Sequence, residues 1–281
     1  MVMRIRLTVG ELFRKTKSAL ESGGVEFARF EAEQLLQSGG IGKTQLITEP
    51  NADVSENISA EISEKINRRL SGEPLQYIIG EWEFYGLPFK VGEGVLIPRQ
   101  DTETLVEVAR RFLEKRSSRK TLDLCAGSGC IGISLAKTEN ADVVCVEKSP
   151  NAFVYLNENI KLNNVSVKAV LGDVLDEKTV DGEFDLIVSN PPYLTESDMN
   201  ELQKEVRAEP KMALYGGADG LDFYRRIVAD YVKKLKIGGM IAVEIGLGQE
   251  NSVSDIFREN GLQPRLEKDL CGVYRVVYSI K

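Results

Sequence analysis

Five short apolar runs constrain this chain more than anything else in it. "TLDLC" (121–125), "DVVCVE" (142–147), "VKAVLGD" (167–173), "FDLIVSN" (184–190) and "MIAVEIG" (240–246) are hydrophobic at successive positions rather than alternate ones. Each must therefore be covered on both faces, which is the condition of a strand inside a parallel sheet. Helical patterns lie between them: "TETLVEVARRFLEKR", "SPNAFVYLNENIKLN" and "DFYRRIVADYVKKL". Two closing runs, "PRLEKDL" and "GVYRVVYSI", have no long helix between them, which predicts an antiparallel last strand. The sum is an α/β fold, a doubly wound, mostly parallel sheet of about seven strands.

The chain before this sheet has a different pattern. "TVGELFRKTKSALESGG" opens with Thr8 and Glu11 in capping-box spacing and closes on Gly23 and Gly24. "VEFARFEAEQLLQSGG" ends the same way, and "SAEISEKINRRLSG" places Ile62, Ile66 and Leu70 at intervals of four, so these helices are expected to bundle around one apolar seam. Residues 1–72 then form a small helical domain. Residues 73–94, "GEPLQYIIGEWEFYGLPFKVGEG" from Gly72, turn aromatic and β-branched between glycines and prolines and read as a β-hairpin connector. Residues 95–281 form the sheet domain, and 281 residues suffice for one larger and one smaller core.

Composition removes several classes of function. A net charge of -7 does not advertise a broad footprint for duplex nucleic acid. The absence of histidine excludes Ser-His and Cys-His nucleophiles, and with no C-x-x-C pair among Cys125, Cys130, Cys145 and Cys271 it leaves no typical zinc site, so no metal is expected. The cysteines read as reduced and mostly buried. No apolar run reaches membrane-spanning length and the opening "MVMRIRLTVG" lacks a signal-peptide core, so a cytosolic protein is expected.

The first strand of the sheet runs into "DLCAGSGCIG", so Asp123, Cys125, Ala126, Gly127, Ser128 and Gly129 lie in a glycine-rich turn at the start of a helix. Ligands of open α/β sheets sit outside the carboxyl ends of the strands. The second strand ends at Glu147, where an acid can accept both hydroxyls of a ribose, and the third at Asp173 and Val174, placed for an adenine amino group and ring nitrogen. Three strand ends in series predict an adenosine pocket. The glycines fit G-x-G-x-x-G literally, so that pattern does not separate NAD from S-adenosylmethionine.

The fourth strand ends in Asn190, Pro191, Pro192 and Tyr193. Two prolines in succession lack N–H donors and bias Asn190 toward extended backbone, so a stiff loop follows. Hydride transfer gives such a loop no evident role, whereas methyl transfer to a planar nitrogen does. The N-P-P-Y stretch resembles the motif of enzymes that methylate exocyclic or amide nitrogens with S-adenosylmethionine. "LIPRQDTETLVE", "EPLQYIIGEWEFYGLPFKV", "VRAEPKMALYGGADGLDFYRRI", "EIGLGQ" and "ARFEAEQLL" narrow the resemblance to the HemK/PrmC family of protein-glutamine methyltransferases. Cys125 and Ala126 stand where that family usually has Gly and Thr, Gln100 replaces a proline and Tyr274 an acid.

The resemblance implies a Rossmann-like methyltransferase fold, S-adenosylmethionine as cofactor, and as partner a peptide chain release factor whose Gly-Gly-Gln loop is the substrate, with partner choice in the helical domain; a monomer is expected, although the sequence itself does not give the oligomeric state. Among the residues, the Asn190 side-chain oxygen, itself near the cofactor, and the Pro191 carbonyl are expected to accept the two protons of the target amide. Tyr193 is expected to stack on the amide plane and Pro192 to stiffen the loop. Arg99, Asp101 and Glu103 fit either a loop near the active site or a plain helix start, and "AEPKMALYGGADGL" has no fixed role. A nucleic-acid amine methyltransferase is the rival reading, since adenine's amino group is also planar; a non-catalytic adenosine-binding adaptor is a second.

Overall fold

The protein is described by a computed structural model covering residues 7–281; the first six, with their share of the N-terminal reading, lie outside the described residues. It divides into two compact units, one made of the described residues up to Gly80 together with Lys204–Ala208, the other of Glu81–Gln203 and Glu209–Lys281.

The first unit contains helices α1 (Val9–Ser22), α2 (Ala28–Ser38), α3 (Lys43–Thr48), α4 (Glu56–Leu70) and α5 (Leu75–Ile79). At the start of α1, Glu11 N–H donates to Thr8 Oγ1 at 3.3 Å and Thr8 N–H to Glu11 Oε2 at 2.9 Å, the reciprocal pair that the spacing predicts. Leu12, Leu20, Leu35, Leu36 and Ile62 are fully buried. The seam of α4 differs from expectation: Leu70 is part-exposed and Arg69 is buried in its place. A 3.6-residue period carries the inward stripe from Ile62 and Ile66 to position 69 rather than 70. Arg69 donates to Glu31 through Nε at 2.6 Å and Nη2 at 3.0 Å, and to Glu205 at 2.9 Å. Residues 75–79, expected within the hairpin connector, form α5 and end at Gly80 with φ +84°.

The second unit opens with a hairpin, β1 (Glu81–Phe84) and β2 (Leu87–Lys90), antiparallel around Tyr85 and Gly86. Both turn residues have positive φ, 54° and 71°, the geometry of a two-residue turn that matches strand twist. Then follow α6 (Glu103–Leu113), β3 (Lys120–Leu124), α7 (Cys130–Glu139), β4 (Asp142–Glu147), α8 (Pro150–Leu162), β5 (Val167–Leu171), β6 (Phe184–Ser189), α9 (Glu196–Asn200), α10 (Asp222–Tyr231), β7 (Leu235–Glu244), α11 (Glu250–Glu259), β8 (Arg265–Lys268) and β9 (Tyr274–Ile280). The sheet order is β5-β4-β3-β6-β7-β9-β8, with β9 antiparallel to both neighbours and the other pairs parallel.

The continuous apolar runs are explained by two cores. Leu105, Ala109, Ile131 and Leu156 from α6, α7 and α8 pack on one face with Val143, Cys145 and Val188. Tyr224, Ile227, Tyr231 and Phe257 from α10 and α11 pack on the other with Leu122, Leu124 and Ile187. Cys130 and Cys145 are buried, Cys125 is partly so, Cys271 is exposed, and all four are free thiols. Among the described residues no helix is long and apolar enough to cross a membrane.

Removing one partner of a buried ion pair strands the other. Arg69→Ala is expected to destabilise the protein by about 3–5 kcal/mol in urea unfolding, while Arg68→Ala, whose partner Glu73 is part-exposed, should cost about 1 kcal/mol or less.

Candidate active site

β3 and β6 lie side by side at the point where strand order reverses, with Leu124 opposite Ser189. Ser189 Oγ donates to the Leu124 carbonyl at 2.7 Å, so the glycine-rich turn and the Asn-Pro-Pro-Tyr loop start from a common footing. A cleft of about 770 Å³ opens there, lined by Cys125, Ala126, Gly127, Ser128, Glu147, Asp173, Val174, Asn190 and Pro192 among the expected residues. Asp123, Gly129, Pro191 and Tyr193 do not line it.

The turn explains most of this. Cys125, Gly127 and Gly129 all have positive φ, at 59°, 56° and 82°. A Cβ on Gly129 would sit 2.4 Å from Leu156 Cδ1, so that glycine serves packing beneath the cleft, whereas a Cβ on Gly127 would meet no protein atom within 4 Å. Asp123 is fully buried. Its Oδ2 accepts from Gly132 N–H at 2.9 Å and lies 3.7 Å from Cys145 Sγ, and burial pushes the carboxyl up to about 7. It holds the first turn of α7 from below, which corrects its expected place against the cofactor. Glu147 accepts one backbone N–H on each oxygen, Gly127 and Ser149, both at 2.7 Å. Burial raises its pKa against the pull of these donors. Partial burial also works to raise the Asp173 pKa, but the Lys148 ammonium at 2.7 Å and Leu175 N–H at 2.9 Å bring it below the ordinary value. Lys148 as a partner of Asp173 was not foreseen.

The proline loop is held from three sides. Asn190 Nδ2 donates to Thr102 Oγ1 at 3.2 Å, which leaves Oδ1 as the carboxamide atom free to accept from a guest. Tyr193 does not line the cleft; its ring edge packs on Gly246, where a Cβ would fall 2.9 Å from Cδ2, and burial pushes its hydroxyl up to about 12. Gln249 fixes the same residue, donating to the Tyr193 carbonyl at 3.1 Å while its Oε1 accepts Gly246 N–H at 2.9 Å. "AEPKMALYGGADGL" supplies the third side. Leu194 N–H donates to Leu214 O and Gly216 N–H to Leu194 O, both at 2.9 Å, and a Cβ on Gly216 would stand 2.6 Å from the Pro192 carbonyl. Lys211, Met212, Ala213 and Tyr215 of that segment line the cleft.

"IPRQDTE" divides differently from either expectation. Arg99 lines the cleft and pairs with buried Glu209, whose other oxygen accepts Ile97 N–H at 3.0 Å. Asp101 pairs with Arg275 at 2.8 Å, and Glu103 accepts Tyr85 N–H at 2.9 Å. Thr102, passed over in the sequence, is the residue that touches Asn190. Gln249 was missed as well, although it closes the quoted phrase "EIGLGQ".

Residues 100–243 match the family model described as methyltransferase small domain, and residues 11–80 the model described as PrmC N-terminal domain. The chain is 40% identical to the release factor glutamine methyltransferase of Clostridium acetobutylicum, over 95% of this chain and 96% of that one. It belongs to the release factor glutamine methyltransferase family. The Geobacter sulfurreducens release factor glutamine methyltransferase is 42% identical, covering 90% of this chain and 89% of its own. Among solved structures, a methyltransferase from Pyrococcus furiosus shares the fold, with a TM-score of 0.56 at 19% identity over 81% of this chain and 99% of that chain. In this family member the proline loop depends on Gln249. Gln249→Ala leaves the Tyr193 carbonyl and Gly246 N–H without their side-chain partner, and is expected to destabilise the protein by about 2 kcal/mol in denaturant titration.

Proposed function

We propose that the protein transfers the methyl group of S-adenosylmethionine to the side-chain amide nitrogen of the glutamine in the Gly-Gly-Gln loop of peptide chain release factors, in the cytoplasm. The observation that carries this reading is Asn190, which lines the cleft with its nitrogen taken by Thr102 and its oxygen without a protein donor among the described residues. A site that offers lone pairs selects a guest with N–H donors, and a primary amide carries two. The helical unit supplies partner choice.

The residues present fit the cofactor. Glu147 is held by two backbone donors and keeps lone pairs for ribose hydroxyls. Gly127 faces open space where a ligand backbone can approach, and the cleft volume of about 770 Å³ lies within the usual range for small-molecule sites. When bound, S-adenosylmethionine supplies an electrophilic methyl group on a sulfonium.

An amide nitrogen is a weak nucleophile because its lone pair is shared with the carbonyl, so orientation has to supply much of the rate. Asn190 Oδ1, on a residue that lines the cleft, accepts one amide proton; the carbonyl of Pro191, the next residue although itself outside the lining, is the acceptor assigned to the other. These contacts fix the amide plane and stabilise positive charge as it develops on nitrogen. The cationic product is a strong acid that releases its proton to water, so the absence of histidine does not hinder the reaction.

Incubation with labelled methyl donor and, in parallel, a release factor, tRNA, rRNA and DNA should place the label in glutamine; label confined to nucleobases would favour the rival amine chemistry. Asn190→Ala should retain cofactor affinity while turnover falls about 100-fold to 1000-fold. Gly127→Ala and Gly80→Ala, both at positive φ with open space around the new methyl, should each cost about 1 kcal/mol. Only Gly127→Ala should also weaken S-adenosylmethionine in calorimetry.

A further inference from the structure

The two ends of a carboxamide have nearly the same shape, so packing alone does not decide which end of Asn190 faces the cleft. A reversed side chain would present N–H donors to the substrate amide and repel it. Something must choose, and the neighbour that touches Asn190 is a hydroxyl, which can equally well donate or accept. Thr102 is 2% exposed and Glu244, at the end of β7, is 3% exposed with Oε2 lacking any hydrogen-bond partner. The Thr102 hydroxyl also lies beside the Glu244 carboxyl, close enough to hold its pKa down.

The geometry points to Thr102 and Glu244 as positioning residues that fix the direction of the Asn190 carboxamide. An ionised carboxylate is acceptor-only and draws the single Thr102 proton to itself. The hydroxyl then has only lone pairs left for Asn190, so it receives Nδ2 and Oδ1 turns to the cleft. Neither residue meets the reacting atoms. This inference rests on the function proposed above, because it explains how the amide-accepting atom comes to face the substrate.

The relay has a protonation state at which it fails. Burial raises the Glu244 pKa to about 7, opposed by the Thr102 hydroxyl beside it. The charged groups facing it are Arg275 of β9 and Arg99, which favour the carboxylate, and Asp101, which disfavours it. Tyr193, Tyr224 of α10 and Cys130 of α7 also face it, each disfavoured in its ionised form by the Glu244 charge or standing beside it as a neutral group at neutral pH. As pH falls through 7, Glu244 gains a proton and can donate to Thr102. The hydroxyl hydrogen is then free to turn to Asn190 Oδ1, and the preference is lost.

The test uses the full chain, labelled S-adenosylmethionine and a release factor. Thr102→Val should lower kcat by about 10-fold to 100-fold with the affinity for S-adenosylmethionine unchanged, and Thr102→Ser should restore most of it. The wild-type pH–rate profile should carry an acid limb near neutrality that disappears in Glu244→Gln, whose kcat should already be reduced at pH 8 because its amide can donate to Thr102. A Thr102→Val kcat within about twofold of wild type, a Thr102→Ser variant no better than Thr102→Val, or an unchanged acid limb in Glu244→Gln would overturn the inference. Neutron diffraction at pH 8 reads the same question without substrate: a Thr102 deuterium directed at Glu244 is expected, and one directed at Asn190 refutes the relay. That arm decides the relay even where the wild-type protein transfers no methyl group to a release factor, a result that counts against the proposed function instead.

Discussion

Two adjacent prolines leave the backbone after β6 without N–H groups at positions 191 and 192, so the loop has few means of tying itself down. Its shape has to be imposed by what surrounds it. Gln249 takes the Tyr193 carbonyl, the 214–216 segment pairs with Leu194, and Gly216 lets that segment approach the Pro192 carbonyl more closely than any side chain would permit. These restraints come from residues far along the chain, which explains why "EIGLGQ" and "AEPKMALYGGADGL" belong to the site although neither carries an obvious reactive group. A loop fixed before its guest arrives loses little entropy on binding.

The same economy governs the other end of the cleft, where three carboxylates close three successive strands and each has a different environment. Asp123 is sealed under the turn, where burial pushes its pKa up to about 7; Glu147 is buried yet meets two backbone donors; Asp173 is partly open and paired with Lys148. Position at a strand end is therefore not enough to make an acid a ligand. Asp123 points below the turn, where it organises α7, and Glu147 lines the cleft.

The sheet was legible because both of its faces are covered, which writes burial into the sequence as unbroken apolar runs. The antiparallel last strand was legible for a similar reason, the missing crossover helix. Residues 75–79 were not, since a short apolar stretch such as "LQYII" fits a strand or one turn and a half of helix equally well. Helix α11 was passed over because its apolar residues, Val253, Ile256 and Phe257, are few within a polar stretch. At the site, strand-end residues were readable from spacing, whereas the Tyr193 ring direction depends on Gly246 and Gln249, more than fifty positions away. Thr102 was hidden among charged neighbours, of which Asp101 and Glu103 serve the scaffold while Arg99 lines the cleft.

An Asn190 oxygen turned outward has a further consequence for discrimination. Glutamate is nearly isosteric with glutamine, and a pocket judging by shape alone would admit both. On the function proposed above, a carboxylate opposite that lone pair would have no hydrogen to offer and would give up its hydration for electrostatic repulsion, so the acid would be rejected without any steric gate. A deamidated substrate would then be barred at the first contact.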